Sequence, residues 1–342
     1  MKSHSLKPRG IPSVIKAINQ MNSTLYPLQF EPILKERIWG GEKLRTDINK
    51  SISTKTTGES WEISTVENDI SIVSNGIMKG KSLNEIIHEN PKGILGSEVY
   101  KRFGTQFPLL FKFIDAKEDL SIQVHPNDEL AKKRHNSFGK TEMWYIMQAD
   151  KGARIIVGFK DKSSPEEYLR NLQNKSLLTI LDEVEAEEGD VFFLETGTIH
   201  AIGGGILLAE IQQTSDITYR VYDWDRVDAD GKSRELHIDL AIEAINYDKI
   251  DTQKTYWKKP NQSNNVVDCP FFTTNYIALD GVYKLNKNGD SFTVFMCVDG
   301  ALTLEVLGKK YQYAKGDTFL MPAAISSFAL SGKGSLLEIY IS

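Results

Sequence analysis

Two histidines, one glutamate and one glutamine stand in short segments of the chain that have the pattern of buried strands. They offer two imidazole nitrogens, a carboxylate and an amide oxygen, a suitable ligand set for a divalent cation such as Zn²⁺. If the four side chains converge in the fold, they form one metal site that is open to substrate chemistry. The residues are Gln123 and His125 in SIQVHPND, Glu142 in GKTEMWY and His200 in GTIHAIG.

Positively charged residues accompany these segments. Arg220 lies in the aromatic run YRVYDWDR, where burying an unpaired guanidinium would be costly. The chain has a formal net charge of −5, so cations gathered around a metal pocket indicate an anionic substrate, with a phosphate or a carboxylate favoured. The cations concerned are Lys112, Lys140, Arg220 and Arg226.

Strands are expected to position the metal ligands. Residues two apart along a strand face the same side, so Ser121, Gln123 and His125 are expected to point together. The runs TEMWYIMQA, ARIIVGF, DVFFLE and GILLAEIQQ are predicted to form further buried strands. Short helices are predicted over residues 127–134 and 163–173 from their capping residues, and a third is predicted over residues 234–248.

An internal repeat indicates the architecture. The run GDVF at 189–192 precedes His200, and GDTF at 316–319 precedes Ser327 at the same offset. Both fit the cupin pattern G-x5-P-x-G-x2-H with losses, and the second has serine in place of histidine. We therefore predict a mainly β protein with a few helices and two cupin-type jelly-roll barrels, the first metal-binding and the second degenerate.

The polar, proline-containing run KKPNQSNN at 258–265 is a predicted linker. This divides the chain into an N-terminal extension over residues 1–25, a catalytic cupin domain with helical additions over residues 26–257, and a C-terminal degenerate cupin domain over residues 258–342. Beyond the linker, turn signals recur about every ten residues, which predicts many short strands.

Composition restricts the partners and the compartment. An acidic balance, with a pI near 5.8, argues against a nucleic-acid surface, and no apolar run is long enough to cross a bilayer. The only cysteines are Cys269 and Cys297, which favours a reducing compartment and a cytoplasmic location. The choice between monomer and homodimer stays open.

Several runs together resemble the type I phosphomannose isomerases in their shorter bacterial form. The resemblance extends over the chain from about Tyr26 and implies a two-cupin, zinc-dependent aldose–ketose isomerase. The implied reaction interconverts mannose 6-phosphate and fructose 6-phosphate through a cis-enediol. The runs that carry the resemblance are PLLFKFIDA, LSIQVHPND, GKTEMWYI, GTIHAIGGGI and EIQQTSDITYRVYDWDR.

The resemblance also implies residue roles. Its zinc ligands correspond to Gln123, His125, Glu142 and His200. Its catalytic arginine corresponds to Arg220, the lysine of its K-x-E element to Lys140, and its phosphate contacts to Ser121, Lys112 and Arg226. One departure is the run ETG at 195–197, where the family often has Pro-Ala-Gly. This change puts the stiffness of the turn before His200 in question.

The sequence leaves alternatives open for the proton-transfer base and for the class of reaction. Lys140, a loosely bound Glu142 or a metal-bound water could each accept the carbon-bound proton. Ligand types alone would also suit an Fe²⁺-dependent oxygenase of the same fold, and a sugar-phosphate-binding cupin without catalytic activity is the third possibility.

Overall fold

The computed structural model describes residues 25–227 and 231–342. Their strands are, in chain order, β1 (Ile33–Gly41), β2 (Thr57–Ile63), β3 (Thr65–Val66), β4 (Asp69–Ile70), β5 (Leu109–Ala116), β6 (Ile122–Val124), β7 (Glu142–Ala149), β8 (Arg154–Phe159), β9 (Leu181–Glu185), β10 (Val191–Leu194), β11 (His200–Ile202), β12 (Ile206–Gln213), β13 (Tyr219–Tyr222), β14 (Asn264–Asp268), β15 (Thr273–Asn286), β16 (Thr293–Val306), β17 (Lys309–Ala314), β18 (Thr318–Met321) and β19 (Ser327–Tyr340). The α-helices are α1 (Lys43–Thr46), α2 (Leu83–Glu89), α3 (Pro91–Leu95), α4 (Ser97–Phe103), α5 (Asp128–His135), α6 (Pro165–Gln173) and α7 (Ile238–Ala244).

The predicted N-terminal extension over residues 1–25 lies outside the described residues, apart from Leu25. None of the helices in the described part of the chain is long and apolar enough to span a membrane.

The first half of the chain forms two antiparallel sheets that face each other. One has the strand order β1-β2-β5-β12-β7-β10, and the other has the order β13-β6-β11-β8-β9. Apolar side chains from both sheets, including Ile146, Leu208 and Ile155, pack together between them. This arrangement confirms the predicted jelly-roll barrel.

The inner faces of these strands change from apolar to charged along their length. On β5 and β12, Ile114 and Leu208 belong to the apolar core. Lys112 precedes Ile114 by two residues and Glu210 follows Leu208 by two, so both share the same inner face. Lys112 and Glu210 are opposite each other in the register, and Lys112 Nζ lies 2.8 Å from Glu210 Oε1. The pairing satisfies two buried charges and makes one part of the barrel interior polar.

The outer face of the second sheet is covered by two helices. Ile122 and Val124 of β6 pack in one apolar cluster with Tyr168 of α6 and Ala241 of α7. Because side chains alternate along β6, this packing leaves Gln123 on the inner face. The helices therefore fix which residues of β6 point into the barrel.

The helix predicted over residues 234–248 is shorter than expected, because α7 begins only at Ile238. The backbone N–H of His237 donates to the Arg220 carbonyl at 2.7 Å, and its ring accepts from the Arg220 N–H at 3.1 Å. At the other end, the Asn246 N–H donates to the Gly197 carbonyl at 2.8 Å. Tertiary hydrogen bonds thus occupy backbone groups on both sides of α7 that would otherwise form the hydrogen bonds of a longer helix.

The second half forms a sheet with the order β14-β15-β19-β16-β17, and β18 pairs with β16. The prediction of many short strands is wrong here, because β15, β16 and β19 each run for 14 residues. Glycines that resembled turn signals lie within these strands, and Gly281 pairs with Gly332. A Cβ at Gly300 would come within 2.3 Å of the Lys333 carbonyl oxygen, so glycine there permits close backbone approach.

The two halves share one apolar core. Leu28, Phe111 and Phe295 belong to the same buried cluster, and Leu28 exchanges two 2.9 Å backbone hydrogen bonds with Leu320. The boundary at residue 258 stays a prediction. β14 begins only at Asn264, so the structure has a stretch without a named strand or helix at that point.

A buried acid on the barrel sheet gives the protein a pH-dependent stability. Asp115 Oδ2 accepts a 2.6 Å hydrogen bond from the Lys43 N–H, while Oδ1 has no hydrogen-bond partner among the described residues. Burial raises the pKa of Asp115 to about 6, against the opposing effect of the Lys43 N–H. Because the folded pKa exceeds the unfolded value, stability from this group is present at low pH and is lost as pH rises through about 6.

We expect Asp115→Asn to abolish this contribution. Between pH 5 and 8 the free energy of unfolding of the variant should rise by about 1 kcal/mol relative to that of the wild type, measured by urea unfolding at each pH. Asp161→Asn, at a carboxylate whose side chain is 94% exposed, is the control and should show no such trend. A stability difference for Asp115→Asn that is independent of pH would contradict the raised pKa.

Candidate metal centre and substrate cleft

Three of the predicted metal ligands meet inside the first barrel. His125 follows β6, Glu142 begins β7 and His200 begins β11. Their potential ligand atoms all lie within 4.8 Å of one another. His200 Nε2 is 3.4 Å from Glu142 Oε1, and His125 Nε2 is 3.6 Å from Glu142 Oε2. Over residues 25–227 and 231–342, this is the one such group of three or more His, Cys, Asp or Glu side chains.

Backbone carbonyls fix the orientation of both imidazole rings. His125 Nδ1 lies 2.8 Å from the carbonyl oxygen of Ile217, and His200 Nδ1 lies 2.8 Å from that of Thr198. Because a carbonyl can only accept, each Nδ1 carries the proton and donates it. The lone pair of each Nε2 is then directed at the centre, which is the tautomer that a metal ligand requires.

Burial also keeps both imidazoles neutral. It lowers the pKa of His125 well below its ordinary value, and the nearby Lys140 adds to this effect. It lowers the pKa of His200 to about 4, against a hydrogen bond to the Thr198 carbonyl. At neutral pH both rings are therefore in the neutral form, with Nε2 unprotonated and able to bind a cation.

The Glu142 carboxylate is the third donor of this group. Neither oxygen takes part in a hydrogen bond of ordinary geometry within the described chain, although Oε2 lies 3.0 Å from Lys140 Nζ. Burial raises the pKa of Glu142, and Lys140 opposes the shift. A buried carboxylate beside two inward-directed imidazole lone pairs fits a divalent cation.

Gln123 reaches the same centre from the neighbouring strand. It is opposite both His200 and Arg220 in the sheet register, and its Nε2 lies 3.3 Å from His200 Nε2. As a cation ligand the amide would present its oxygen, which a half-turn about its terminal bond places at the same position. The structure thus brings all four predicted ligands together.

Hydrogen bonds hold the turn before His200. Gly197 has a left-handed φ of 89°, and its N–H donates to the His125 carbonyl at 2.9 Å. The Thr198 N–H donates to the Glu195 carbonyl at 3.1 Å. These bonds restrain the turn without a proline at position 195, and the first of them joins the turn to the backbone of His125.

A cleft of about 530 Å³ lies beside the centre and is lined by Gln123 and Lys140, but not by His125, Glu142 or His200. Lys140 lies at the junction, because its Nζ is 3.1 Å from His125 Nε2. Arg226 is not among the lining residues. Its Nη1 donates to the Asp119 carbonyl at 2.6 Å and its Nη2 to Asp223 Oδ1 at 2.6 Å. The predicted site residues that line the cleft are Lys112, Ser121, Gln123, Lys140 and Arg220.

Arg220 faces this cleft from β13 and is held on several sides. Its Nε donates to Ser121 Oγ at 3.2 Å, and its Nη1 donates to the Glu235 carbonyl at 3.0 Å. The two backbone hydrogen bonds with His237 described above fix its main chain. The guanidinium is therefore fixed beside the metal centre, where it can stabilise negative charge that develops on a substrate.

Several charged residues of the cleft were not predicted from the sequence, among them Glu210 and Arg234. Glu210 accepts hydrogen bonds from Lys112 Nζ at 2.8 Å and from Trp144 Nε1 at 3.0 Å. A carboxylate inside the apolar run ILLAEIQQ was an available signal for it. Arg234 also lines the cleft, but it lay in a segment predicted to be helical, so its direction could not be inferred.

Two family models match the chain. The model for phosphomannose isomerase type I, catalytic domain, matches residues 27–156, and the model for mannose-6-phosphate isomerase, cupin domain, matches residues 262–341. The mannose-6-phosphate isomerase ManA of Bacillus subtilis is 38% identical over 313 residues, which cover 90% of this chain and 97% of the relative. The mannose-6-phosphate isomerase of Streptococcus mutans is 36% identical and covers 90% of this chain and 95% of the relative.

A solved structure agrees with these matches. The crystal structure of the mannose 6-phosphate isomerase from Bacillus subtilis superposes with a TM-score of 0.85 and 34% identity. The superposition covers 93% of this chain and all of that chain. The similarity therefore extends over both barrels.

Proposed function

The chain belongs to the type I phosphomannose isomerase family, and we propose that it interconverts mannose 6-phosphate and fructose 6-phosphate at the His125–Glu142–His200 centre. The observation that carries this proposal is the buried donor set of two oriented imidazoles and one carboxylate at the end of a cleft rich in cations. Such a site suits an anionic sugar whose reacting oxygens gain negative charge.

The site is a metal site, and we propose that its cation is Zn²⁺, held by His125, Glu142 and His200 with the Gln123 amide as a fourth ligand. Two imidazoles and a carboxylate are common zinc ligands, and fewer protein ligands than the metal can accept leave room for substrate. When bound, the cation would supply a Lewis acid for the oxygens at C1 and C2 of the sugar.

Two cationic side chains have proposed roles beside that cation. Arg220 keeps its charge at all relevant pH values, so it would stabilise the enediolate electrostatically. Burial alone would lower the pKa of Lys140, but Glu142 and Glu210 outweigh this effect and raise it. An ammonium at Lys140 Nζ would donate a proton or hydrogen bond to a substrate oxygen. Lys140 would have to lose that proton before it could act as the base toward carbon.

The remaining expectations concern the phosphate end and the compartment. Lys112 and Ser121 line the cleft, which supports their proposed contact with the phosphosugar.

We also propose a cytoplasmic location, supported by two free cysteines, Cys269 and Cys297, as is usual in a reducing compartment.

A direct test is to incubate the zinc-loaded protein with mannose 6-phosphate in deuterated water. We expect fructose 6-phosphate, detected by a coupled enzyme assay, and we expect deuterium on carbon in at least part of the product. Oxygen consumption without isomerisation would favour the Fe²⁺-dependent oxygenase, and tight binding without turnover or exchange would favour a non-catalytic sugar-phosphate-binding protein. The relatives' names support neither alternative.

A further inference from the structure

Three arginines gather around one buried carboxylate at the edge of the cleft. Asp223 follows β13, and Arg226 Nη2 donates to its Oδ1 at 2.6 Å. Arg234 donates from Nε to Asp223 Oδ2 at 2.7 Å and from Nη2 to Asp223 Oδ1. Arg220 is close enough that Arg234 and Arg226 add to the effect of burial in lowering its pKa. Asp223 is the only carboxylate hydrogen-bonded to these guanidiniums within the described residues.

The other cations that line the cleft each have their own carboxylate. Asp216, which also lines the cleft, forms no ion pair with an arginine in the described part of the chain. Among the described residues, the Arg220–Arg234 end therefore has three guanidiniums near two carboxylates, because Glu235 as well as Asp223 acts electrostatically on Arg220. The paired cations are Lys35 with Asp69, Arg37 with Glu59, Lys112 with Glu210, and Lys140 with Glu142.

Arg226 and Arg234 differ in the direction they face. Arg234 lines the cleft together with Arg220 and Ser121. Arg226 does not, and its Nη1 is engaged by the Asp119 carbonyl at 2.6 Å. The Nε and Nη2 groups of Arg234 are bound to Asp223, whereas its Nη1 donates to no partner within residues 25–227 and 231–342. One edge of the Arg234 guanidinium is thus anchored and another is available to a ligand.

We propose that Arg234, held in place by Asp223, binds the phosphate group of the phosphosugar, an assignment that rests on the function proposed above. Asp223 is then a positioning residue, and Arg226 reinforces the positive charge from outside the cleft. Arg234 lines the same cleft as Gln123 and Lys140, which lie at the metal centre. A phosphosugar whose reacting carbons lie at that centre can therefore extend its phosphate along the cleft to Arg234.

The test compares Arg234→Gln with Arg226→Gln in the zinc-loaded full chain. Arg234→Gln should raise the KM for mannose 6-phosphate and the inhibition constant of inorganic phosphate by about 10- to 100-fold, the loss expected for charged hydrogen bonds, with kcat nearly unchanged. Arg234→Lys should recover part of the loss, because it restores the charge without the planar fork. Arg226→Gln should change KM much less.

The role of Asp223 has its own readout. Asp223→Asn should raise KM in the same way, and the Asp223→Asn/Arg234→Gln double variant should be little worse than Arg234→Gln alone, because both remove one interaction. The proposal would be overturned if the KM effects of Asp223→Asn and Arg234→Gln were additive in the double variant. It would also be overturned if Arg226→Gln changed KM more than Arg234→Gln, or if Arg234→Gln lowered kcat and left KM unchanged. If the wild type did not isomerise the sugar, the proposed function would fail. Calorimetry with inorganic phosphate would still decide whether Arg234 binds the anion.

Discussion

Replacing His200 with alanine is expected to remove the metal and to lower kcat/KM by about 10³-fold or more. His200 supplies one of two neutral imidazole donors, and its Nε2 lies 3.4 Å from Glu142 Oε1. Without His200, the cation would keep only His125, Glu142 and the Gln123 amide as protein ligands. A bound cation contributes several kcal/mol to stabilising charge in the transition state, and each 1.36 kcal/mol corresponds to a tenfold change in rate. Metal content by elemental analysis and the coupled assay measure both effects.

Loss of folding must be separated from loss of the ligand. The Trp144 and His200 rings pack in a T-shaped arrangement with 5.4 Å between centroids, so thermal unfolding of the variant should be measured alongside activity. His88→Ala is the matched control, because His88 lies on α2, exposed and away from the centre. A folded His200→Ala protein that kept its metal and its turnover would refute this assignment.

Replacing Arg220 with glutamine should lower kcat by about 10²- to 10³-fold, the effect of removing one preorganised donor from a developing negative charge, while metal content stays the same. The main-chain bonds of Arg220 to His237 do not involve its side chain, so the variant should fold. Arg220→Lys should be intermediate, because it keeps the charge but loses the fork.

The control for Arg220 is Arg154→Gln, on β8 of the same sheet, where the side chain is 54% exposed and paired with Glu183. Kinetics of each variant at saturating zinc distinguish the roles. An Arg220→Gln enzyme with wild-type kcat would remove Arg220 from the proposed chemistry. If the Arg220→Gln protein lost its metal, the role of Arg220 would instead be to hold the metal ligands in position.

The metal centre was the most predictable part of the molecule. Strand periodicity places Gln123 and His125 on one face, and the degenerate repeat places His200 just after a turn of the barrel. Local pattern sufficed because side-chain direction along a strand depends on sequence position alone. Helix α6, one of the two that cover β6, was also predictable from local sequence, because Ser164 caps it and Pro165 begins it.

The parts that were not predicted depend on contacts between distant segments. Arg234 lay in a run with helical spacing, but hydrogen bonds between His237 and Arg220 delay the start of α7. Glycines such as Gly281 are typical of turns, yet here they pair with another strand within 14-residue strands. Neither tertiary hydrogen bonding nor close backbone approach leaves a signal in local sequence.

The central claim is that one cation at the His125–Glu142–His200 centre supports isomerisation of mannose 6-phosphate. The most direct test is to strip the protein of metal, titrate Zn²⁺ back, and follow bound metal and turnover in the same samples. The account predicts that activity is absent without metal, rises in proportion to bound zinc and levels off at one equivalent per chain. Full turnover in the metal-free protein, or activity that continues to rise to a second equivalent, would contradict it.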